Sequence, residues 1–380
     1  MVHHPQPSVC IVAPLPPPYG GMSLQAEKLV SQLSKEGIRV RAINTNPPPP
    51  SSLSWLKHVP AVRTLLRELQ YLIFLVRDLD ADIVHHFAAS GIYFFFQSAP
   101  AVLLSKLKGS RTILNYRGGD AARFLERWGY IVVPTLRLAD CIAVPSEFLR
   151  QVFAAHGLET TLLPNIADVR MFAWRSREQF KPKLLCTRNL EPMYNVECLL
   201  RAFRRIQQVY PEATLTVVGE GSEELRLRSV SQLWKLHGVN FRGATAHKGL
   251  AGLYASHDIY VNSSNVDNFP GALVEAACCG LPIVTTRAGG IRFMIRDRHN
   301  GVLVDLDDDV GIAAGVFEIM QDPTFGHSLA YQARRWAEQF SWENILPTIM
   351  DCYGISDQST DAGRDLRSSD SEPVAGVFSA

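Results

Sequence analysis

At 380 residues the chain is longer than one ordinary domain, and at roughly 150 residues per domain it has the length for two. Hydrophobic residues are 47% and charged residues 20%, which excludes a mostly disordered chain; a net charge of +1 gives no bulk field for nucleic acid. Seven scattered cysteines with no C-x-x-C pair indicate neither zinc nor dithiol chemistry, and a reducing, cytoplasmic compartment is expected. Residues 1–8 lack a cationic start and an apolar run, so no signal peptide is expected. The apolar stretches 65–79 and 91–107 are broken by Arg67, Glu68 and Arg77 and by Gln97, Pro100 and Lys106, so neither reads as a transmembrane span.

The first half alternates strand and helix. Residues 9–13 form a short apolar run, the mark of a strand buried on both faces. A Pro- and Gly-rich turn over 14–21 leads to a helix over 23–36, with Leu24, Leu29, Val30 and Leu33 at helical spacing and Gly37 as its C-terminal stop. Ile38, Val40 and Ala42 alternate with arginines as a second strand. A loop over 47–50 follows, then helix 62–78, strand 82–87, helix 92–106, strand 112–116, helix 121–137, strand 141–144, helix 146–156 and strand 161–163. His85 and His86 end the third strand on opposite faces, so one is expected to line a cleft and the other to be structural.

The second half restarts the alternation. Strands are expected at 183–186, 213–218, 239–241, 258–262, 282–285 and 301–304, and helices at 196–209, 223–237, 249–256, 273–279, 310–320 and 329–340. Regular β/α alternation means parallel sheets with helices on both faces. Two such runs predict an α/β chain of two doubly wound, Rossmann-like domains facing a cleft. The expected divisions are 1–172, 173–340, a helix over 341–355 returning to the first domain, and a disordered, mildly acidic tail over 356–380.

Two turns could carry chemistry. The first, ending in Tyr19-Gly20-Gly21, lies between the first strand and the first helix, where α/β sheets bind ligands and a helix start favours an anion. It lacks the G-x-G-x-x-G spacing, and a tight structural turn is the competing reading. The second runs from Asn262 through Asp267 to Glu275. Gly271, Ala272 and Leu273 would offer free N–H groups at a helix start. Glu275, flanked by Val274, Ala276 and Ala277, is expected to be partly buried, and a buried carboxylate without a partner is costly. The competing reading is an Asx-rich loop with a helix cap and a solvated Glu.

The run Phe269-Pro270-Gly271-Ala272-Leu273-Val274-Glu275-Ala276-Ala277-Cys278-Cys279-Gly280-Leu281-Pro282 resembles the family-4 retaining glycosyltransferases of GT-B fold. Leu163-Pro164-Asn165, Val217-Val218-Gly219-Glu220-Gly221, Gly289-Gly290 and Asn300-Gly301-Val302-Leu303-Val304 keep the pattern in order over most of the chain. The resemblance implies transfer from a nucleotide diphosphate sugar with retention, no cofactor and no bound metal. It places Glu275 on the donor ribose, Asp267 beside the donor sugar, and Arg188 on the diphosphate. Ligand contacts are expected from Gly219, Tyr194, Asn268, Phe269, Pro270, Gly271, Ala272 and Leu273 in a nucleotide-sugar-binding second domain, and from the Gly20-Gly21 turn in an acceptor-binding first domain.

Three departures stand out. Asp267 is shorter than the Glu usual there. Tyr194 stands where a Lys is usual, and Arg117-Gly118 where a His-Gly pair is usual, so Arg117 is expected to supply the missing positive charge from the opposite wall. These departures leave open a non-catalytic sugar-nucleotide or glycan-binding homologue, or a sugar-nucleotide epimerase of the same fold. The expected acceptor is a glycan or a lipid-linked glycan in cell-surface polysaccharide synthesis, with no nucleic-acid partner. The stretch 55–77, with Trp55, Lys57, Arg63, Arg67, Leu65, Leu66 and Leu69, suggests peripheral contact at the inner face of a membrane. Helices simply packed on the sheet are the alternative.

Overall fold

The structure is a computed structural model, and it describes residues 7–17, 20–48 and 60–355. Tyr19, Trp55, Lys57 and the expected tail 356–380 lie outside the described residues. The first unit runs β1 (Val9–Ala13), α1 (Gly21–Lys35), β2 (Val40–Asn44), α2 (Pro60–Asp78) and β3 (Ile83–Ala88). It continues with α3 (Ala99–Leu107), β4 (Arg111–Tyr116), α4 (Ala121–Leu136), β5 (Cys141–Val144), α5 (Glu147–Ala154) and β6 (Thr161–Leu162). The second unit begins β7 (Lys183–Thr187), α6 (Val196–Val209), β8 (Thr214–Val218), α7 (Glu224–Leu233), β9 (Val239–Phe241) and α8 (His247–Ser256). It ends β10 (Ile259–Asn262), α9 (Gly271–Cys278), β11 (Ile283–Thr286), α10 (Ile291–Met294), β12 (Val302–Val304), α11 (Asp309–Gln321), α12 (Pro323–Glu338) and α13 (Trp342–Tyr353).

Each unit holds one six-stranded parallel sheet, in the orders β2-β1-β3-β4-β5-β6 and β12-β11-β10-β7-β8-β9. Strand order reverses between β1 and β3 in the first sheet and between β7 and β10 in the second. Such a reversal opens a crevice at the strands' carboxyl ends. The central strands are apolar throughout because helices cover both faces: β1 is buried at all five positions. Tyr71 and Leu75 on α2, with Leu79 just after it, recur every fourth residue and pack with Cys10, Val12 and Val84 of the sheet.

The chain crosses twice between the units. Ala167 N–H donates to the Phe340 carbonyl at 2.8 Å, so the two crossings touch. Beyond them α13 lies on the first unit. Trp342 Nε1 donates to Glu36 Oε1 at 2.8 Å, Arg111 Nε donates to the Cys352 carbonyl at 2.9 Å, and the Tyr353 hydroxyl is 3.0 Å from His85 Nδ1. The seven cysteines are free thiols.

Local differences from the sequence reading have physical causes. α12 starts at Pro323, six residues before the expected position, because Asp322 accepts the Phe325 N–H and Pro323 takes the first helical turn, where no N–H is needed. α7 stops at Leu233 rather than 237, since Lys235 and Gly238 take positive φ. The segment expected as one helix over 92–106 is a π-turn at Phe94–Ser98 followed by α3. Neither His85 nor His86 lines an open cleft; both are fully buried. His85 is enclosed between Asn115 of β4 and Tyr353 of α13, and His86 Nε2 lies 2.8 Å from the Ser98 hydroxyl at the end of the turn before α3.

Candidate active site

Arg188 follows the last residue of β7, and Asp267 lies in the loop after β10. The reversal of strand order in the second sheet therefore brings them together. Arg188 Nη2 and Asp267 Oδ2 form an ion pair, with both side chains nearly buried. The Arg188 guanidinium also lies 4.2 Å from the centre of the Tyr194 ring. Burial opposes the charge on Arg188, but Asp267, helped by Tyr194 and Tyr260, lifts its pKa above the ordinary value, so it stays cationic. Burial pushes the Asp267 carboxyl up, against the pull of Arg188. Tyr194 thus supports Arg188 from its ring face. A Lys there would put a second cation against the first.

Gly219 positions Arg188 from behind. Its φ is +144°, and a Cβ there would overlap the Arg188 carbonyl, so only glycine allows this close approach. Gly290 does the same for the loop after β10: a Cβ would overlap the Asn268 carbonyl.

Glu275 lies on the second turn of α9 and is held at both oxygens. His247 Nε2 is 3.1 Å from Oε1, and the Tyr254 hydroxyl donates to Oε2 at 3.0 Å. Burial, and then Glu275 itself, raise the Tyr254 pKa well above its usual value, so it remains a donor. The partner that the sequence reading did not find is this pair. His247 and Tyr254 are seven residues apart on α8 and so share one helix face toward Glu275.

Gly271 opens α9 and Gly21 opens α1, and a Cβ on either would meet nothing within 4 Å. At Gly20, the α1 cap, the nearest atom is the Ser23 hydroxyl at 4.0 Å. The two helices face each other across the cleft: Gln25 and Lys28 of α1 share a small cavity with Gly271 and Glu275 of α9. Helix starts carry unpaired N–H groups and partial positive charge, which suit an anion. Pro270 caps α9 and accepts the Leu273 N–H at 3.1 Å, while Ala272 and Leu273 are buried behind it.

Arg117 lies at the end of β4 on the seam between the units. It donates from Nε to Asn115 Oδ1 at 3.1 Å and from Nη1 to Asn165 Oδ1, and it lies 4.8 Å over the Phe87 ring. No carboxylate pairs with it among the described residues, and burial pushes its pKa down to about 9. Asn165 Nδ2 in turn donates to the Phe269 carbonyl at 2.9 Å, and Asn268 Nδ2 donates to the Gly118 carbonyl at 2.7 Å. The loop 267–270 is thereby tied to the first unit. Arg117 is thus braced within that seam.

Two buried polar atoms here have no protein partner, Arg188 Nε and Asn268 Oδ1. Unpaired buried groups are uncommon, and at a cleft they are the atoms a ligand would satisfy. The site therefore offers a cation, a helix start and a pre-oriented carboxylate. That set suits an anionic group joined to a hydroxyl-bearing ring.

The chain is similar to known proteins over most of its length. Residues 172–336 match the family "Glycosyl transferases group 1", and residues 8–165 match "Glycosyl transferase 4-like domain". The chain is similar to glycogen synthase of Mycobacterium tuberculosis, with 28% identity over 60% of this chain and 56% of the relative. It is also similar to a GDP-mannose-dependent alpha-(1-6)-phosphatidylinositol monomannoside mannosyltransferase of Mycolicibacterium smegmatis, with 26% identity over 65% and 72% of the two chains. The chain thus spans just over half the length of the glycogen synthase it matches. In fold it is similar to sucrose-phosphate synthase from Thermosynechococcus elongatus (TM-score 0.74, 18% identity, 91% of this chain and 98% of that one). It is also similar to HepE of Anabaena in complex with UDP-glucose (TM-score 0.70, 17% identity, 92% and 100%). Two doubly wound sheets of this order, with both family matches in sequence along them, make the chain a member of the group 1 glycosyltransferases with the GT-B fold.

Proposed function

We propose that the chain moves a sugar from a nucleoside diphosphate sugar to a glycan or lipid-linked acceptor, with retention at the anomeric carbon, in cell-surface polysaccharide or glycoconjugate synthesis. The observation that carries this reading is the convergence of Arg188, the α9 start at Gly271 and the doubly held Glu275 at the reversal point of the second sheet. Glu275 accepts the ribose hydroxyls. Arg188 and the α9 N–H groups take the diphosphate, and Arg117 adds positive charge from the first unit.

In the transfer, the bond from the anomeric carbon to the diphosphate oxygen breaks, and its electron pair leaves with the diphosphate. Positive charge develops at the anomeric carbon. The acceptor hydroxyl attacks on the face the diphosphate leaves, and its proton passes to the departing phosphate oxygen. Preorganised donors aimed at that oxygen lower the barrier, so the side chains and N–H groups serve in place of a metal. Asp267 and Glu275 are engaged with Arg188 and with His247 and Tyr254, which favours their holding the donor over forming a covalent intermediate.

The cytoplasmic face of a membrane is the proposed location. Leu65, Leu69, Ile73 and Val76 are exposed along one side of α2, and Leu103 and Leu107 along α3 beside it, with Arg63 at the start of α2. No helix among the described residues is long and apolar enough to cross a membrane. Mass-spectrometric screening of nucleotide sugars against soluble and lipid-linked acceptors tests the activity. A bound donor without turnover would point to a binding homologue, and conversion of free sugar nucleotides without acceptor to an epimerase.

A further inference from the structure

A groove of about 860 Å³ runs between the two units beside Phe269, the residue next to Asn268 in the loop at the candidate site. The turn between β5 and α5 and Pro164 form its wall on the first unit. α10, the loop that follows it and the last turns of α12 form the other. Its charge is one-sided. Arg292, Arg296 and Arg335 line it, with His299, against a single carboxylate, Glu147. Glu147 is already held by Arg150 at 2.7 Å. None of the three arginines pairs with a carboxylate among the described residues.

The groove is also aromatic. Phe293 is 39% exposed within it, and Trp336 lines it against Phe340. The Arg292 guanidinium lies 4.9 Å over Phe293 and 5.9 Å over Phe148, and so spans from the second unit to the first. Guanidinium forks match carboxylates in two-point fashion, and aromatic rings offer flat apolar faces to sugar rings. A volume in the upper range for small-molecule sites suits several sugar residues better than one ion.

We propose that this groove binds an acidic stretch of sugar chain, its carboxylates on Arg292, Arg296 and Arg335 and its rings against Phe293 and Trp336. It guides that chain, as acceptor, toward the cleft at Phe269. The role as acceptor rests on the glycosyl-transfer reading; the binding is measured without turnover.

The test is calorimetry with tetragalacturonate, neutral maltotetraose, inorganic phosphate and UDP. Tetragalacturonate should bind the wild-type chain, weaken as salt is raised, and exceed maltotetraose and phosphate by about tenfold or more. The variant Arg292→Ala/Arg296→Ala/Arg335→Ala should lose about tenfold or more of that affinity, and Phe293→Ala severalfold, both with unchanged UDP affinity. Unchanged UDP affinity shows that the variants are folded and separates this site from the donor site. Equal binding of tetragalacturonate and maltotetraose overturns the proposal. So does phosphate binding as tightly as tetragalacturonate, or tetragalacturonate binding unaffected by the triple substitution.

Discussion

Arg188 and Asp267 neutralise each other at the mouth of β7 and β10, so the cation proposed for the donor diphosphate already has an acidic partner. A diphosphate must compete with that carboxylate. Asp267→Asn removes the competitor and keeps the shape. It should raise UDP affinity severalfold by calorimetry, while lowering stability to urea by about 3 kcal/mol through the unpaired buried Arg188. UDP affinity that stays the same or falls would show that Arg188 does not face the diphosphate.

Glu275 is oriented by two residues that reach it from α8. Glu275→Gln should weaken nucleoside diphosphate binding by about 1–2 kcal/mol, roughly tenfold, because a charge-assisted hydrogen bond becomes a neutral one. His247→Ala should weaken it less, and His247→Gln, which restores a donor near Oε1, should recover much of the loss. A folded His247→Ala chain with wild-type affinity would leave Tyr254 as the residue that orients Glu275.

A polar chain links the C-terminal helix to the candidate site. Asn115 Nδ2 donates to His85 Nε2 at 3.0 Å, so the neutral ring carries its proton on Nδ1, facing the Tyr353 hydroxyl. Asn115 Oδ1 receives Arg117, which bonds Asn165, which holds the Phe269 carbonyl. A protonated His85 would set two donors against each other. Burial, with Arg117 adding to it for His85, lowers the pKa of both His85 and His86 from 6.5 to about 3.

Between those values the unfolded chain takes up two protons that the folded chain refuses. Stability from these two groups is therefore full above pH 6.5 and falls as pH drops toward 3. The slope is about 1.4 kcal/mol per pH unit for each histidine. Urea midpoints at pH 7, 6, 5 and 4 measure it, and His85→Asn/His86→Asn should flatten the curve. A double variant with the wild-type slope would assign the acid sensitivity elsewhere.

The exposed face of α2 predicts binding to anionic vesicles. The chain should float with phosphatidylglycerol liposomes, and Leu65→Asn/Leu69→Asn/Ile73→Asn should leave it at the bottom of the gradient while activity on water-soluble acceptors persists. A wild-type chain that sediments away from both anionic and neutral liposomes would contradict the proposed location.

Much of the fold is legible in local sequence. β1 and α6 begin and end where the apolar run and the helical periodicity place them, because burial sets both. α9 starts at Gly271, two residues before the expected 273, and the Leu273 N–H, expected to be free, is taken by the Pro270 carbonyl. What is not legible is contact across distance. Glu275 meets His247 and Tyr254 at separations of 28 and 21 residues, and no local pattern marks that meeting. Arg117 shows the same limit. Its charge is visible in sequence, but its bond to Asn165 spans 48 residues and no local pattern marks it. The α12 cap, Asp322 before Pro323, was a local signal, and it marks the start better than the first apolar residue does.

The central claim is tested most directly by the product. Purified chain is incubated with UDP-, GDP- and ADP-sugars and a panel of soluble and lipid-linked acceptors, and the new linkage is read by mass spectrometry and by NMR of the anomeric proton. The account predicts one donor–acceptor pair that yields a glycosidic bond with the donor's anomeric configuration, slowed by about 10²–10³-fold in Arg188→Ala. An inverted linkage, or no product from any pair while the nucleotide binds, would contradict it.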